Sequence, residues 1–501
     1  MKRNTQKLEG GQYDLVIIGG GINGAAMANL ASQQGLNVAL VEKGDFASGT
    51  SSKSTKLVHG GLRYLEKFQL KLVSEALAER ALQLKKAPHL VKSLDFIIPM
   101  YKDAKRPVWM VRLGVFIYDV LSGNLSSQRR KFLTKNNVLK SIPSIKQEGL
   151  IAGVSYCDAQ MDDARLCLEN VLQAASQGAD VFNYMEVRET IKENGKTVAI
   201  KAYDTLKNKY YEIAAKNFIC TVGPWANQFA KRELNQPAKK VRLTKGVHIV
   251  YRGEFSKEAI LIPVERDGRI FFMIPWQGNT LIGTTDTDYD GDLEKVVADE
   301  KDIAYLIREV NRYFPDRLFK RENIITTFAG LRPLVHEEGA ASKVSREHVI
   351  EKSFSGIHYV LGGKYTTYRK IAEECLEKIY GNKVNINKEN FTVYGGGNIE
   401  ISISDVAHRF KVAEDIVENL IATYGVRYLD VLKLIKNNAD LKMRLSSHTD
   451  IIRAQVVYGS EIEMAQTVDD IFYRRLGLDY VDCDKEGCKK EIKNILLDLT
   501  S

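Results

Sequence analysis

Short, sharply bounded apolar runs open the chain. Tyr13 to Ile18 is almost wholly apolar and stops at glycines. A run this short, apolar at successive positions, predicts a strand buried on both faces of a parallel sheet. Asn23 to Gln34 is rich in alanine and predicts a helix, and Asn37 to Val41 predicts a second buried strand ending at Glu42. Together they make a βαβ unit. From Gln69 to Lys86 the apolar positions Leu70, Val73, Leu77, Ala81 and Leu84 recur at helical spacing, with Lys85 and Lys86 in the last turn and Pro88 beyond.

The period then changes. Thr197 to Tyr203 alternates in twos after Asn194-Gly195, a hairpin signal. Phe218 to Val222 predicts another short strand, followed by Gly223-Pro224 and a helical stretch. Ala259 to Val264 and Arg269 to Pro275 flank Asp267-Gly268, and Gly278-Asn279 leads into Thr280 to Thr284. That pattern predicts an antiparallel meander inserted into the first unit. Beyond about Asn390 helical patterns dominate, including Asp405 to Tyr424 and Glu461 to Leu476, and Gly395-Gly396-Gly397 marks a joint.

The 501 residues suggest about three domains. With 44% hydrophobic and 27% charged residues, the composition is that of a globular protein and excludes a disordered or collagen-like chain. Six cysteines without a C-x-x-C pair argue against a zinc ribbon or a disulfide scaffold and point to a reducing compartment. Leu15 to Ile18 is too short for a signal-peptide core. No stretch approaches the roughly 18 apolar residues of a spanning helix, so a cytoplasmic protein, free or bound to one membrane face, is expected.

The net charge of +9 is unevenly spread. Between Lys53 and Lys131 there are 16 Lys/Arg against 6 Asp/Glu, a local +10, so the rest of the chain sums to −1. Within this basic region, residues 107–121 are the most apolar, bracketed by Lys102, Lys105 and Arg106 and by Arg129, Arg130 and Lys131. The segment reads either as an interfacial helix meeting anionic lipid through Trp109, Leu113 and Phe116 or as a core helix with solvated flanks. No nucleic-acid-binding motif accompanies the charge, so no nucleic acid is expected as a partner.

Gly19-Gly20-Gly21-Ile22-Asn23-Gly24 fits G-x-G-x-x-G between the first strand and helix. Gly19 permits the turn, Gly21 lets backbone approach a diphosphate, and Gly24 lets helix and strand pack closely. Glu42, 18 residues past Gly24, is placed to accept hydrogen bonds from a ribose diol. The loop predicts an ADP-containing cofactor without separating FAD from NAD, and Glu42 disfavours NADP.

Further blocks carry a family resemblance. Thr50-Ser-Ser-Lys-Ser-Thr-Lys-Leu-Val-His-Gly-Gly-Leu-Arg-Tyr-Leu65 closely resembles the signature of the FAD-dependent glycerol-3-phosphate dehydrogenases. The likeness continues in Asp162–Leu166, Thr221–Trp225, Leu243–His248, Ile282–Asp286, Gly330–Leu334 and Gly362–Arg369. It spans roughly residues 13 to 380 and is faint beyond 390. The resemblance implies an α/β and α+β architecture: a Rossmann-like FAD-binding domain, an inserted antiparallel-sheet substrate domain and a C-terminal helical cap. The expected boundaries are 1–390 for the first two, with the FAD-binding part mainly 10–100, 150–225 and 325–385 and the substrate part about 226–325 plus parts of 85–150; the cap is 391–501.

The resemblance also implies oxidation of sn-glycerol 3-phosphate to dihydroxyacetone phosphate, with electrons passing to membrane quinone at the inner face of the cytoplasmic membrane. A homodimer, peripherally bound there, is expected. Oxidases of the same family use oxygen and many carry a mid-chain insertion, so this length looks like the dehydrogenase form. An amine or 2-hydroxyacid oxidase on the same fold is the other enzyme reading, and a lipid-binding protein with a structural glycine loop is the non-enzyme one.

A small dianion calls for convergent cations. Arg332, in Gly330-Leu-Arg-Pro333, and Lys364, after Gly362-Gly363, are the first candidates, with Arg63 and Arg346 beside them; all four match cationic positions of the family site. Tyr64 is placed to bond the phosphate or shield the flavin. His248 is the expected base, because imidazole titrates near neutral pH. Ser51, Ser52, Thr55 and Lys56 are expected along the pyrophosphate and ribityl chain, a Val187 backbone contact at the adenine, and Gly363, Lys364 and Thr366 near the isoalloxazine. His59 reads as support for the flavin loop and Cys157 as a core thiol. No metal is expected.

Overall fold

The computed structural model describes residues 1, 3–123, 130–235, 239–264, 269–335 and 347–499, apart from the side chains of Arg63 and Lys67. Two sheets organise it. The first has eight strands and runs His348–Lys352, His358–Gly362, Lys209–Cys220, Gln12–Ile18, Val38–Val41, Asp180–Phe182, with the hairpin Met185–Glu193 and Lys196–Asp204 continuing from Lys209–Cys220. Its centre is parallel: Gln12–Ile18 pairs in parallel with both Val38–Val41 and Lys209–Cys220.

The unbroken apolar run at the start has a direct cause. Leu15, Ile17, Val38 and Leu40 face a core shared with the helices Ile22–Gln33, Asp163–Ser176 and Tyr368–Tyr380. Their neighbours Val16, Ile18, Ala39 and Val41 face a second core with Phe182, Val187 and Phe229. Both faces are covered, so no polar alternation survives.

The second sheet has ten strands and contains the expected meander: Ala259–Pro263, Ile270–Trp276 and Asn279–Gly283 pair antiparallel in sequence order. Asp267-Gly268 lies outside the described residues. The sheet also takes in Val91–Tyr101, Leu150–Met161 and Ile324–Val335. The sequence reading placed most of these three stretches with the first domain. Strand pairing moves them to the second sheet, because Val91–Tyr101 and Leu150–Met161 pair with each other along their length and Ile324–Val335 lies along Val241–Tyr251.

The C-terminal part is helical, with helices Ile403–Phe410, Glu414–Tyr424, Tyr428–Asn437, Arg453–Glu461 and Lys485–Asp498. The single helix expected over 405–424 is two, broken where Lys411 takes a positive φ of 53°. Within 461–476, Glu461 ends the preceding helix and only residues 468–475 are helical beyond it, with Asp470–Arg475 wound as a π-turn.

This part is fastened to the rest by buried charge. Arg475 grips Asp45 with two nitrogens at 2.7 and 2.9 Å, Arg474 reaches the same carboxylate at 2.6 Å, and Arg165 bonds both oxygens of Glu463 at 2.8 and 2.9 Å. Glu169, bonded to His89, also receives the Gly395 amide, so the triple glycine is packed between the two parts.

Candidate active site

A cavity of about 880 Å³ runs between the two sheets. One end is built by the glycine loop. Gly19 has φ +109°, and a Cβ on Gly24 would stand 1.9 Å from the Gly19 carbonyl oxygen, so turn and close approach both demand glycine. The helix Ile22–Gln33 begins at Gly21 with no side-chain cap, presenting its amide end and positive dipole to the cavity. At the end of the next strand, Glu42 accepts the Gly20 amide at 2.6 Å on one oxygen and the Gly44 amide at 2.9 Å on the other. Burial pushes its pKa up in spite of these two donors. Each oxygen keeps acceptor capacity for a ligand hydroxyl. Val187 and Ser51 line the same end, and the Ser51 hydroxyl oxygen accepts the Ile22 amide at 2.9 Å.

The opposite end is cationic and holds an imidazole. His248 sits on the strand Val241–Tyr251, buried, with Nε2 3.0 Å from the Thr55 hydroxyl. Its ring stacks on Phe328 of the paired strand, centroids 4.8 Å apart and planes within 14°. Burial, followed by the positive charges of Arg332 and Lys56, holds the imidazole well below its ordinary pKa. His248 is therefore neutral at neutral pH and able to accept a proton. Its Nδ1 is buried with no hydrogen-bond partner among the described residues.

Arg332 lies on Ile324–Val335 opposite Thr244 and folds over Gly246, where a Cβ would be 2.3 Å from a guanidinium nitrogen. The guanidinium donates to the Thr284 hydroxyl at 2.9 Å, the Thr285 carbonyl at 3.2 Å and the Asp286 carboxylate at 3.3 Å. Lys364 donates to the Gly60 carbonyl at 3.1 Å and lies 4.3 Å from the Tyr64 ring centroid. Tyr64, Gly363, Lys364 and Thr366 all line the cavity.

So the fold brings His248, Arg332, Lys364, Tyr64 and Thr55 to one end and Gly19, Gly21, Glu42 and Val187 to the other. Three residues expected to touch a cofactor are absent from the cavity wall. Gly24 packs beneath the turn. Ser52 is turned inward, its carbonyl accepting from Lys56 at 2.8 Å. Lys56 has φ +59°, which sends its ammonium into the core to pair with Asp163 at 2.5 Å. Asp163 raises the pKa of this lysine against the lowering effect of burial. Arg346 and the Arg63 side chain lie outside the described residues. Sequence reasoning gave Thr55 to the cofactor and missed its bond to His248, as it missed Phe328. Gly246, two residues before His248 and so on the same strand face, was the available signal that a bulky group crosses there.

Comparison with known proteins places the chain. A sequence profile described as FAD dependent oxidoreductase matches residues 14–369, and one described as the C-terminal domain of alpha-glycerophosphate oxidase matches 388–496. The aerobic glycerol-3-phosphate dehydrogenase of Staphylococcus aureus (strain bovine RF122 / ET3-1) is 37% identical to it, over 99% of this chain and 92% of the relative. The chain belongs to the FAD-dependent glycerol-3-phosphate dehydrogenase family. A solved glycerol-3-phosphate dehydrogenase of the same family, from Bacillus halodurans and complexed with FAD, aligns with a TM-score of 0.79 at 29% identity, covering 99% of this chain and 92% of that one. The L-alpha-glycerophosphate oxidase of Mycoplasma pneumoniae, with FAD bound, shares the fold at a TM-score of 0.60 and 19% identity, over 73% of this chain and 94% of its own. FAD, the cofactor of the family, suits the donor set observed here: a glycine turn and helix N-terminus for a diphosphate, a carboxylate for a ribose diol, and a cavity that extends to His248.

Proposed function

We propose that this chain oxidises the secondary alcohol of sn-glycerol 3-phosphate to dihydroxyacetone phosphate. The observation that carries the reading is a buried imidazole that shares one cavity with Arg332, Lys364 and a dinucleotide loop. FAD, when bound, supplies the hydride acceptor. The chain's own residues do the remaining work. Arg332 and Lys364, with Arg63, Arg346 and Tyr64, hold the phosphate dianion and orient C2. His248 takes the hydroxyl proton, and the Arg332 charge stabilises the oxygen as that proton leaves. Gly19, Gly21, Ser51 and Glu42 hold the ADP half, Val187 its adenine, and Gly363, Lys364 and Thr366 the ring end.

The test is the anaerobic visible spectrum of the purified holoprotein. The oxidised-flavin band is expected to bleach with sn-glycerol 3-phosphate and to persist with glycine or lactate. Bleaching by either of the latter and not by the phosphate would transfer the assignment to an amine or hydroxyacid oxidase.

Membrane quinone as acceptor, and a homodimer at the inner face of the cytoplasmic membrane, belong to the same reading. The membrane contact is supported by the helix Val108–Ser122, where Trp109, Leu113, Phe116 and Val120 recur at one-face spacing and are all exposed, Trp109 by 66%. Phe68, Phe132 and Ile151 are exposed as well. Arg112 and Arg130 lie over Phe132 and Phe116. Among the described residues no helix is long and apolar enough to cross a membrane. An exposed apolar face with arginines among its rings suits the surface of an anionic bilayer. Trp109→Asp combined with Phe116→Asp should lower partition onto vesicles containing phosphatidylglycerol by more than about ten-fold, since each ring forfeits about 2 kcal/mol of burial. Dye-coupled turnover in solution should persist. Unchanged cosedimentation would remove this helix from the membrane contact.

A further inference from the structure

A turn of the C-terminal domain packs behind the strand that carries His248's partner ring, Phe328. Leu478–Tyr480 follows the π-turn, and its neighbours pin it to the second sheet: the Thr326 hydroxyl donates to Asp479 at 2.7 Å, Lys485 donates to the Ile325 carbonyl at 3.1 Å, and the Asn279 amide donates to the Tyr480 carbonyl at 3.1 Å. Tyr480 is thereby set edge-on against Phe328, centroids 5.8 Å apart and planes at 68°, and against Trp276 at 6.2 Å. Phe328 is the ring on which His248 lies.

Behind these rings sits the Lys56 ammonium. It lies 5.0 Å from the Tyr480 centroid, 5.4 Å from Phe328 and 5.9 Å from Trp276, with Asp163 at 2.5 Å and the Tyr480 hydroxyl at 3.3 Å. Each ring is within range of a cation–π contact. The cluster is a buried cation in an aromatic enclosure, with one wall pressed flat against the imidazole. Tyr480 is the one wall that comes from the C-terminal domain.

We propose that Tyr480 is a positioning residue for His248, acting through Phe328 and the enclosed Lys56 ammonium, so that the C-terminal domain completes the catalytic centre. This rests on His248 being the proton acceptor. Without the Tyr480 edge, Phe328 is free to tilt, the imidazole loses its flat support, and the Lys56 charge shifts relative to it. Among the described residues, the charges that act on His248 are Arg332, paired with Asp286, and Lys56, paired with Asp163. Tyr480 touches only the second set.

The experiment measures kcat and KM of FAD-normalised holoprotein for Tyr480→Leu and Tyr480→Phe, alone and combined with His248→Gln. Tyr480→Leu is expected to lower kcat about ten-fold, with KM for sn-glycerol 3-phosphate within about two-fold. Tyr480→Phe, which keeps the ring, should retain at least about half of kcat. In the His248→Gln background Tyr480→Leu should cost nothing further, because the group it positions is gone. An equal loss in both backgrounds, a change confined to KM, no loss in Tyr480→Leu, or a Phe variant as poor as the Leu variant would overturn the positioning role. If His248→Gln alone keeps the parent kcat, the assignment of the base has failed, and that result is distinct from all of these.

Discussion

His248→Gln should lower kcat by about two to four orders of magnitude, the usual contribution of a positioned general base, while flavin content and KM stay near the parent values. Glutamine is the informative replacement. Its amide can still bond the Thr55 hydroxyl, which lies 3.0 Å from Nε2, and its flat end can still rest on Phe328. Shape and hydrogen bond survive, and basicity is lost. The same geometry sets the pH behaviour. A base works deprotonated, and burial with the Arg332 and Lys56 charges holds this imidazole well below its ordinary 6.5. The acid limb of kcat/KM, which reports the free enzyme, should therefore fall below pH 6.5, leaving the rate flat through neutrality. A glutamine variant with more than a tenth of the parent kcat would mean that the hydroxyl proton leaves by another route. An acid limb centred at or above 6.5 would contradict the electrostatics of the site.

Asp45→Ala should destabilise the protein by about 3–5 kcal/mol, the cost of leaving buried partner charges unmatched. Asp45 is 2% exposed and holds Arg474 and Arg475 together, while Arg475 is 1% exposed and has no water to turn to. The expected signs are an earlier urea midpoint and faster proteolysis between residues 388 and 403, where the two parts join. Burial opposes ionisation of Asp45, but Arg475 and then Arg474 outweigh it and bring its pKa from 3.8 to about 2. A carboxylate depressed on folding stabilises the native state above its unfolded pKa. That stability, about 2–3 kcal/mol at roughly 1.4 kcal/mol per pH unit, is lost as the pH falls from about 4 to 2. Acid should therefore loosen the C-terminal domain in the parent over that window, with a smaller change in Asp45→Ala. An unchanged urea midpoint in the variant would show that Asp470 and Glu463 suffice to hold the two arginines.

Much of the cofactor end could be read directly from the chain, because its signals are local. The run ending at Ile18, the turn at Gly19 and the acid at Glu42 lie within about thirty residues and need only one βαβ unit to meet. The cationic, histidine-bearing end of the cavity was legible in part. His248, Arg332 and Lys364 stood out by residue type and by glycine-rich or family-like surroundings. Lys56 shows where that reasoning stops: it lies in the same signature as Ser51 and Thr55, yet a positive φ turns its ammonium away from the cavity and into a pair with Asp163. Residue type and spacing do not report a single backbone rotation.

The broken helix near Lys411 and the reassigned strands have a related cause. Periodicity measures how well a segment covers one apolar face, and it says nothing about which partner covers it. Val91–Tyr101 and Leu150–Met161 become neighbours only because their full lengths pair. What can be deduced from the chain alone is therefore the cofactor class, the glycine turn that cradles it and the presence of a cationic, histidine-bearing second unit, since each depends on sterics and charge within a few residues. The bond between Thr55 and His248, 193 positions apart, and the seating of Tyr480 against Phe328 exist only in the folded molecule. They are set by the packing of whole elements, whose burial energy is shared over many residues and leaves no local mark on any one of them.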